Sequence, residues 1–140
     1  MSSHQTYTKM YYHLVWSTKN RHPFITKENE ETLYNYIGRI TIEKKWHLLE
    51  IGGIYNHVHI LLQKSPRYTI SEVVRCIKSN SSTFMREKFN PNFAWQAGYS
   101  AFTVDKLSLL RLKKYILNQK QHHDAMSFEK EFDLLLERYD

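Results

Sequence analysis

The sequence predicts an α+β fold of the ferredoxin-like kind, a βαββαβ antiparallel sheet followed by C-terminal helices, and three observations point there. Stretches rich in β-branched and aromatic residues alternate with helical stretches in that order. Each of the helical stretches opens on a capping residue. The chain has 140 residues, 41% hydrophobic and 24% charged, which suits one globular domain spanning residues 1–140.

Met10–Lys19 (MYYHLVWSTK) is predicted as a central strand and is ended by Asn20–Pro23. Thr26 is placed as an N-cap, and Glu28, Glu30 and Glu31 follow where a helix dipole favours acids. Leu33, Tyr36, Ile37 and Ile40 then recur at helical spacing to about Lys45. Trp46–Ile51 reads as a second strand, Gly52-Gly53 as a bulge or tight turn, and Ile54–Gln63 as a third strand. Thr69-Ile70-Ser71-Glu72 forms a capping box, and its helix carries Ile70, Val73, Val74, Ile77 and Phe84 inward before ending near Phe89. Phe93–Val104 supplies a fourth strand, irregular at Gly98. Asp105 caps a helix from Lys106 to about His123, and Ser127 caps a last one with Phe128, Phe132, Leu135, Leu136 and Tyr139 as its apolar stripe. Two helices cover one face of this sheet, which leaves the other free for a site or a partner.

A single cysteine, Cys76, excludes an internal disulfide framework, fits a reducing compartment and reads as a small core residue. No run approaches the roughly 18 apolar residues of a membrane span, and Met1–Met10 lacks a signal-peptide core, so a cytoplasmic protein without a membrane partner is expected. The net charge is +6, unevenly spread. Residues 124–140 hold six acids against Lys130 and Arg138, leaving +10 on the remainder. That basic body, with 10 Tyr and 7 Phe in the chain, suits a polyanion with unstacked bases. A basic surface serving only solubility is the plainer alternative.

Tyr55-Asn56-His57-Val58-His59-Ile60-Leu61-Leu62 places His57 and His59 on one face of a strand and Val58, Ile60 and Leu62 on the other. Two imidazoles so placed can share a divalent cation, or they are hydrogen-bonded strand histidines. On the Lys106–His123 helix, Arg111, Tyr115, Asn118, Gln119 and His122 form a polar stripe beside Leu109, Leu112 and Ile116. A tyrosine there is ordinarily a packing residue, but Gln119 one turn on offers a neutral oxygen that a hard cation accepts.

Five segments together resemble the single-tyrosine HUH transposases of the insertion-sequence-200-like mobile elements. They are Tyr12-His13-Leu14-Val15-Trp16-Ser17-Thr18-Lys19, Asn56-His57-Val58-His59-Ile60-Leu61, Lys78-Ser79-Asn80-Ser81-Ser82, Trp95-Gln96-Ala97-Gly98-Tyr99 and Lys114-Tyr115-Ile116 with Gln119. The resemblance runs in order from about Met10 to His123. It implies a nuclease and strand transferase acting on hairpin-bearing single-stranded DNA through a covalent 5′-phosphotyrosine. His57, His59 and Gln119 would hold Mg²⁺ or Mn²⁺, and Tyr115 would attack the scissile phosphate. It also implies a homodimer in which the tyrosine helix of one subunit can complete the site of the other.

Lys19, Arg21, Lys78, Ser81, Ser82 and Arg111 are the candidate DNA contacts, with Tyr7, Tyr11 and Trp16 as base-stacking candidates of which at least one belongs to the core. His122 and His123 are either substitute ligands or a solvated helix end. Three positions depart from the resemblance: Asn56 where aspartate is common, Ala97 where a basic residue is frequent, and Asp105 where glycine often precedes the tyrosine helix. The alternatives are an HUH replication initiator or relaxase, a host-domesticated or inactive relative that binds hairpins, and a metal-dependent hydrolase of small molecules.

Overall fold

The computed structural model describes residues 8–123 and 126–139; Tyr7 and the side chain of His122 lie outside the described residues. Strands β1 (Tyr11–Ser17), β2 (His47–Ile54), β3 (His57–Gln63) and β4 (Ser100–Val104) alternate with helices α1 (Glu30–Glu43) and α2 (Ile70–Lys88). After β4 come α3 (Leu109–Leu117), α4 (Gln119–His123) and α5 (Phe128–Tyr139). The sheet order is β2-β3-β1-β4 with every pairing antiparallel, which is the expected ferredoxin-like arrangement.

Alternation along the central strands divides the sheet into two unlike faces. Leu14, Trp16, Val58, Ile60 and Leu62 pack under α1 and α2 with Leu33, Ile37, Val73, Val74, Ile77 and Met85. His13, Val15, His57, His59 and Leu61 point the other way. The capping box at Thr69 is formed, with Thr69 Oγ1 accepting from Glu72 N and Glu72 Oε1 accepting from Thr69 N. At the start of α1 the turn is set by a reciprocal pair instead: Thr26 N donates to Asn29 Oδ1, and Asn29 N donates to Thr26 Oγ1. Thr26 thus caps the turn that leads into α1, while the helix itself begins after Asn29, whose side chain makes no cap bond to it.

Four further expectations are corrected. The second face is not free, because α3 covers it with Leu112 and Ile116 against Leu61, and α5 covers it with Phe128 and Leu135 against Val15. Gly52-Gly53 lies inside β2, and the turn falls at Tyr55-Asn56. The glycines serve close approach instead: a Cβ on Gly52 would sit 2.4 Å from the carbonyl oxygen of Ile116 in α3, and one on Gly53 would sit 2.2 Å from that of His57. The predicted Lys106–His123 helix is a 3₁₀ turn (Lys106–Ser108) followed by two α-helices that break at Asn118, between Tyr115 and Gln119. Its cap holds, since Asp105 Oδ1 accepts from Ser108 N at 2.8 Å. Leu136, placed on the apolar stripe of the last helix, is exposed. Cys76 is partly buried against the α1/α2 core, and among the described residues no helix is long and apolar enough to cross a membrane.

Candidate active site and metal centre

The second face of the sheet brings His57, His59, Tyr115 and Gln119 together and adds Glu131 and His123. His57 and His59 come from adjacent same-face positions of β3 and are fully buried. Tyr115 comes from the last turn of α3 and Gln119 from the first residue of α4, and α3 is held down where Gly52 lets its backbone approach β2. The break at Asn118 does not separate them, because Gln119 remains buried beside His57.

Each histidine is oriented by a neighbour behind it. Asn56 Oδ1 lies 3.0 Å from His57 Nδ1, and His13 Nε2 lies 2.8 Å from His59 Nδ1. His13 Nδ1 is in turn 2.9 Å from the hydroxyl of Tyr139 in α5. When Nδ1 of each ring donates to these partners, both Nε2 lone pairs face the same point. There His57 Nε2 meets Gln119 Oε1 at 2.9 Å and Glu131 Oε1 at 3.1 Å, and His59 Nε2 meets Glu131 Oε1 at 3.3 Å. Ligand atoms of His57, His59 and Glu131 all lie within 4.8 Å of one another. Without a metal, an Nε2–H of either ring can donate to Glu131; with Nδ1 as the donor instead, nitrogen and oxygen electron pairs converge as a divalent cation requires of its donors.

Burial also keeps the His59 ring neutral and able to ligate. It pushes His59 down to about 4, against the weaker upward pull of Glu131, and it takes His13 well below the ordinary histidine range, helped by His59. Burial alone would raise the Glu131 carboxyl, but hydrogen bonds from His57, His59 and Tyr115 outweigh it and hold the group far below the usual carboxylate range. The Tyr115 hydroxyl donates to Glu131 Oε2, and burial together with that carboxylate raises its pKa. Gln119 Nε2 donates to the same oxygen at 2.8 Å, and His123 Nε2 lies 2.9 Å from Oε1. His123 is therefore part of the cluster and not a solvated helix end.

Sequence reasoning missed Glu131. Its position carried a signal: three residues after Phe128 and four before Leu135, it falls on the inward stripe of an amphipathic helix, where an unpaired acid would be costly. The candidate DNA contacts scatter more widely. Lys19 is exposed, whereas Arg21 pairs with Glu129 of α5 at 2.5 Å and stands over the Phe128 ring. Lys78 donates to the carbonyls of Gln96 and Gly98 at 2.6 and 2.7 Å. It lines a groove with Arg75, Ser82, Arg86, Trp95 and Tyr99. Ser81 corrects the expectation of a phosphate contact: it is fully buried, donates to Ile77 O and accepts from Trp95 Nε1. Arg111 is exposed in a separate cleft beside Arg138 and Tyr139. Trp16 is core, and Tyr11 packs partly buried against Leu61 and Val104.

Residues 6–119 match the family model described as Transposase IS200 like. The chain is 27% identical over 115 residues to the ISDra2 transposase TnpA of Deinococcus radiodurans, covering 77% of this chain and 82% of that one. It is also 27% identical over 116 residues to the transposase for insertion sequence element IS200 of Salmonella typhimurium, covering 77% and 75%. A solved Deinococcus radiodurans structure described as a transposase superposes with a TM-score of 0.67 at 27% identity, over 85% of this chain and 98% of that one. A tyrosine transposase bound to a REP hairpin superposes with a TM-score of 0.64 over 88% and 74%, and at 16% identity that likeness speaks to the fold alone.

Proposed function

The chain belongs to the IS200-like transposase family, and from that premise we propose that it cleaves and rejoins single-stranded DNA at hairpin-bearing ends through Tyr115. The observation that carries this reading is the convergence of the His57 and His59 Nε2 atoms, Gln119 Oε1 and the Tyr115 hydroxyl on one buried point. Tyr115 Oη attacks the scissile phosphorus, the bond from phosphorus to the 3′-oxygen breaks, and the DNA 5′-phosphate remains on tyrosine. The phenol loses a proton and the departing oxygen gains one, so the products are a phosphotyrosine and a free 3′-hydroxyl. The reverse displacement by another 3′-hydroxyl rejoins DNA without an external energy source.

His57, His59 and Gln119 would hold the divalent cation, Mg²⁺ or Mn²⁺, with Asn56 and His13 fixing the two rings. When bound, it polarises the phosphate and offsets the charge that develops during attack. The basic groove of Arg75, Lys78, Arg86, Trp95 and Tyr99 supplies charges and rings suited to the hairpin, with Lys19 exposed just after β1. The homodimer belongs to the same proposal. Since Tyr115 lies on the histidines of its own chain here, exchange would require α3 to swing about Asp105 and the 3₁₀ turn.

A second reading, a hairpin-binding relative that does not cut, is favoured by one observation: Glu131 already engages the tyrosine and both histidines. Incubation with labelled hairpin DNA and Mg²⁺, followed by a denaturing gel, separates the two. A denaturation-resistant shifted band for the wild type and none for Tyr115→Phe supports cleavage. Hairpin binding with no such band in either protein supports the second reading.

A further inference from the structure

We propose that α5 occupies the DNA site of its own chain as a displaceable stand-in, with the Glu131 carboxylate in the place of the scissile phosphate. The proposal rests on the transposase reading and adds an occupant to it. One carboxylate engages every group assigned to the reaction. Its Oε2 accepts from Tyr115 and Gln119, and its Oε1 faces the Nε2 atoms of His57 at 3.1 Å, His59 at 3.3 Å and His123 at 2.9 Å. An anion with two oxygens surrounded by these groups resembles a phosphate diester in charge and shape.

The rest of the helix follows the same pattern. Arg21, a candidate phosphate contact, is taken by Glu129 at 2.5 Å. Phe128 lies on the His57 ring with centroids 4.3 Å apart and planes 24° apart, and Tyr139 stacks on Phe102 at 4.2 Å and 9°. α5 thus presents carboxylates and flat rings to a face expected to receive phosphates and bases. It also carries Glu129, Glu131, Asp133 and Glu137 against Lys130 and Arg138, in a chain whose net charge is +6. Its apolar anchor is the small cluster of Phe128 and Leu135 on Val15, separate from the α1/α2 core, so its release leaves that core in place. In this arrangement the tyrosine proton is engaged and the approach to the histidines is filled, so DNA has to displace the helix before it can be cut.

The test uses the full chain and labelled single-stranded hairpin DNA with chelator present, which keeps binding apart from cleavage. If α5 excludes DNA from all but about a tenth of the molecules, Glu131→Ala binds about ten-fold more tightly than the wild type. Glu137→Ala, which removes an equal charge from the exposed side of α5, is expected to change affinity less than about two-fold. Amide hydrogen exchange of residues 128–139 in the wild type should speed up when DNA is added at saturation. Unchanged or weaker binding by a Glu131→Ala protein that melts cooperatively would overturn the proposal, as would equal tightening by Glu137→Ala or retained protection of α5 on DNA. Should Glu131→Ala not fold, the exchange measurement on the wild type decides alone. DNA binding with a Tyr115 adduct while α5 stays protected would remove this inference and leave the transposase reading intact. A wild type that binds no single-stranded DNA would remove both.

Discussion

The two faces of the sheet are built from the same strands, yet they obey different rules. Under α1 and α2, Val58, Ile60 and Leu62 are wholly buried against aliphatic and aromatic neighbours, and the packing is the whole purpose. One residue along in each direction, His57 and His59 are as deeply buried, but among the nitrogen and oxygen atoms of Gln119 and Glu131. A buried polar cluster of this kind is costly to assemble, and such clusters concentrate at functional sites. The comparison teaches that depth alone does not mark a core: the partners of a buried group decide whether it holds the fold or does work.

Substitutions on β3 test that division most strongly. His57→Ala and His59→Ala are expected to bring DNA cleavage below detection in Mg²⁺ and to remove saturable Mn²⁺ binding, which can be followed by proton relaxation without any DNA. Normal cutting by both variants would place the site elsewhere. Leu62→Ala on the other face should cost about 2–5 kcal/mol in a denaturant melt while leaving the cleavage rate per folded molecule unchanged. If the leucine variant lost activity while keeping its stability, the division of labour would fail.

Acidification probes the polar face, with the Glu72 carboxyl of the α2 capping box, also held low, titrating beside it. The unfolded His59 takes up a proton near 6.5, whereas the buried ring does so only near 4. Between those values the unfolded chain binds more protons, so the stability of the metal-free protein falls as pH falls from 6.5 to 4, by a few kcal/mol at about 1.4 kcal/mol per unit of pKa. His13 and Glu131, both lowered, act in the same direction. Melts at pH 7, 5.5 and 4.5 check this, and a flat profile would contradict neutral, buried rings. The smallest effect is expected at the seam between sheet and helix. Gly52→Ala should cost about 1–3 kcal/mol and slow adduct formation, because the added Cβ meets the Ile116 carbonyl and lifts α3 with Tyr115. Subunit mixing sharpens the same seam: Tyr115→Phe with His57→Ala regains cleavage only if α3 is exchanged between subunits.

Much of the fold was legible because it rests on local rules. The Thr69 capping box, the Asp105 cap and the β3 alternation each depend on residues a few positions apart. What escaped was set by distant partners. Gly52-Gly53 reads as a turn unless one knows that the α3 backbone crosses it, and Ser81 reads as a surface hydroxyl until the indole of Trp95 is found above it. Glu131 reads as one more acid of an acidic tail, since its partners lie 72 and 74 residues earlier on β3. For the same reason His57, His59, Tyr115 and Gln119 could be named from their motifs, while the carboxylate that joins them could not.

Where the DNA becomes attached tests the central claim most directly. The wild type is incubated with single-stranded hairpin DNA and Mg²⁺, digested with nuclease and trypsin, and analysed by mass spectrometry. Among the described residues, two tyrosine hydroxyls lie close to the histidines: Tyr115 on Glu131 and Tyr139 on His13. Trypsin separates them, because Tyr115 lies on the peptide from Tyr115 to Lys120 and Tyr139 follows Arg138. The account predicts the nucleotide-phosphate mass on the Tyr115–Lys120 peptide alone. The same mass on the Tyr139 peptide, or cleaved DNA with no modified peptide, would contradict it.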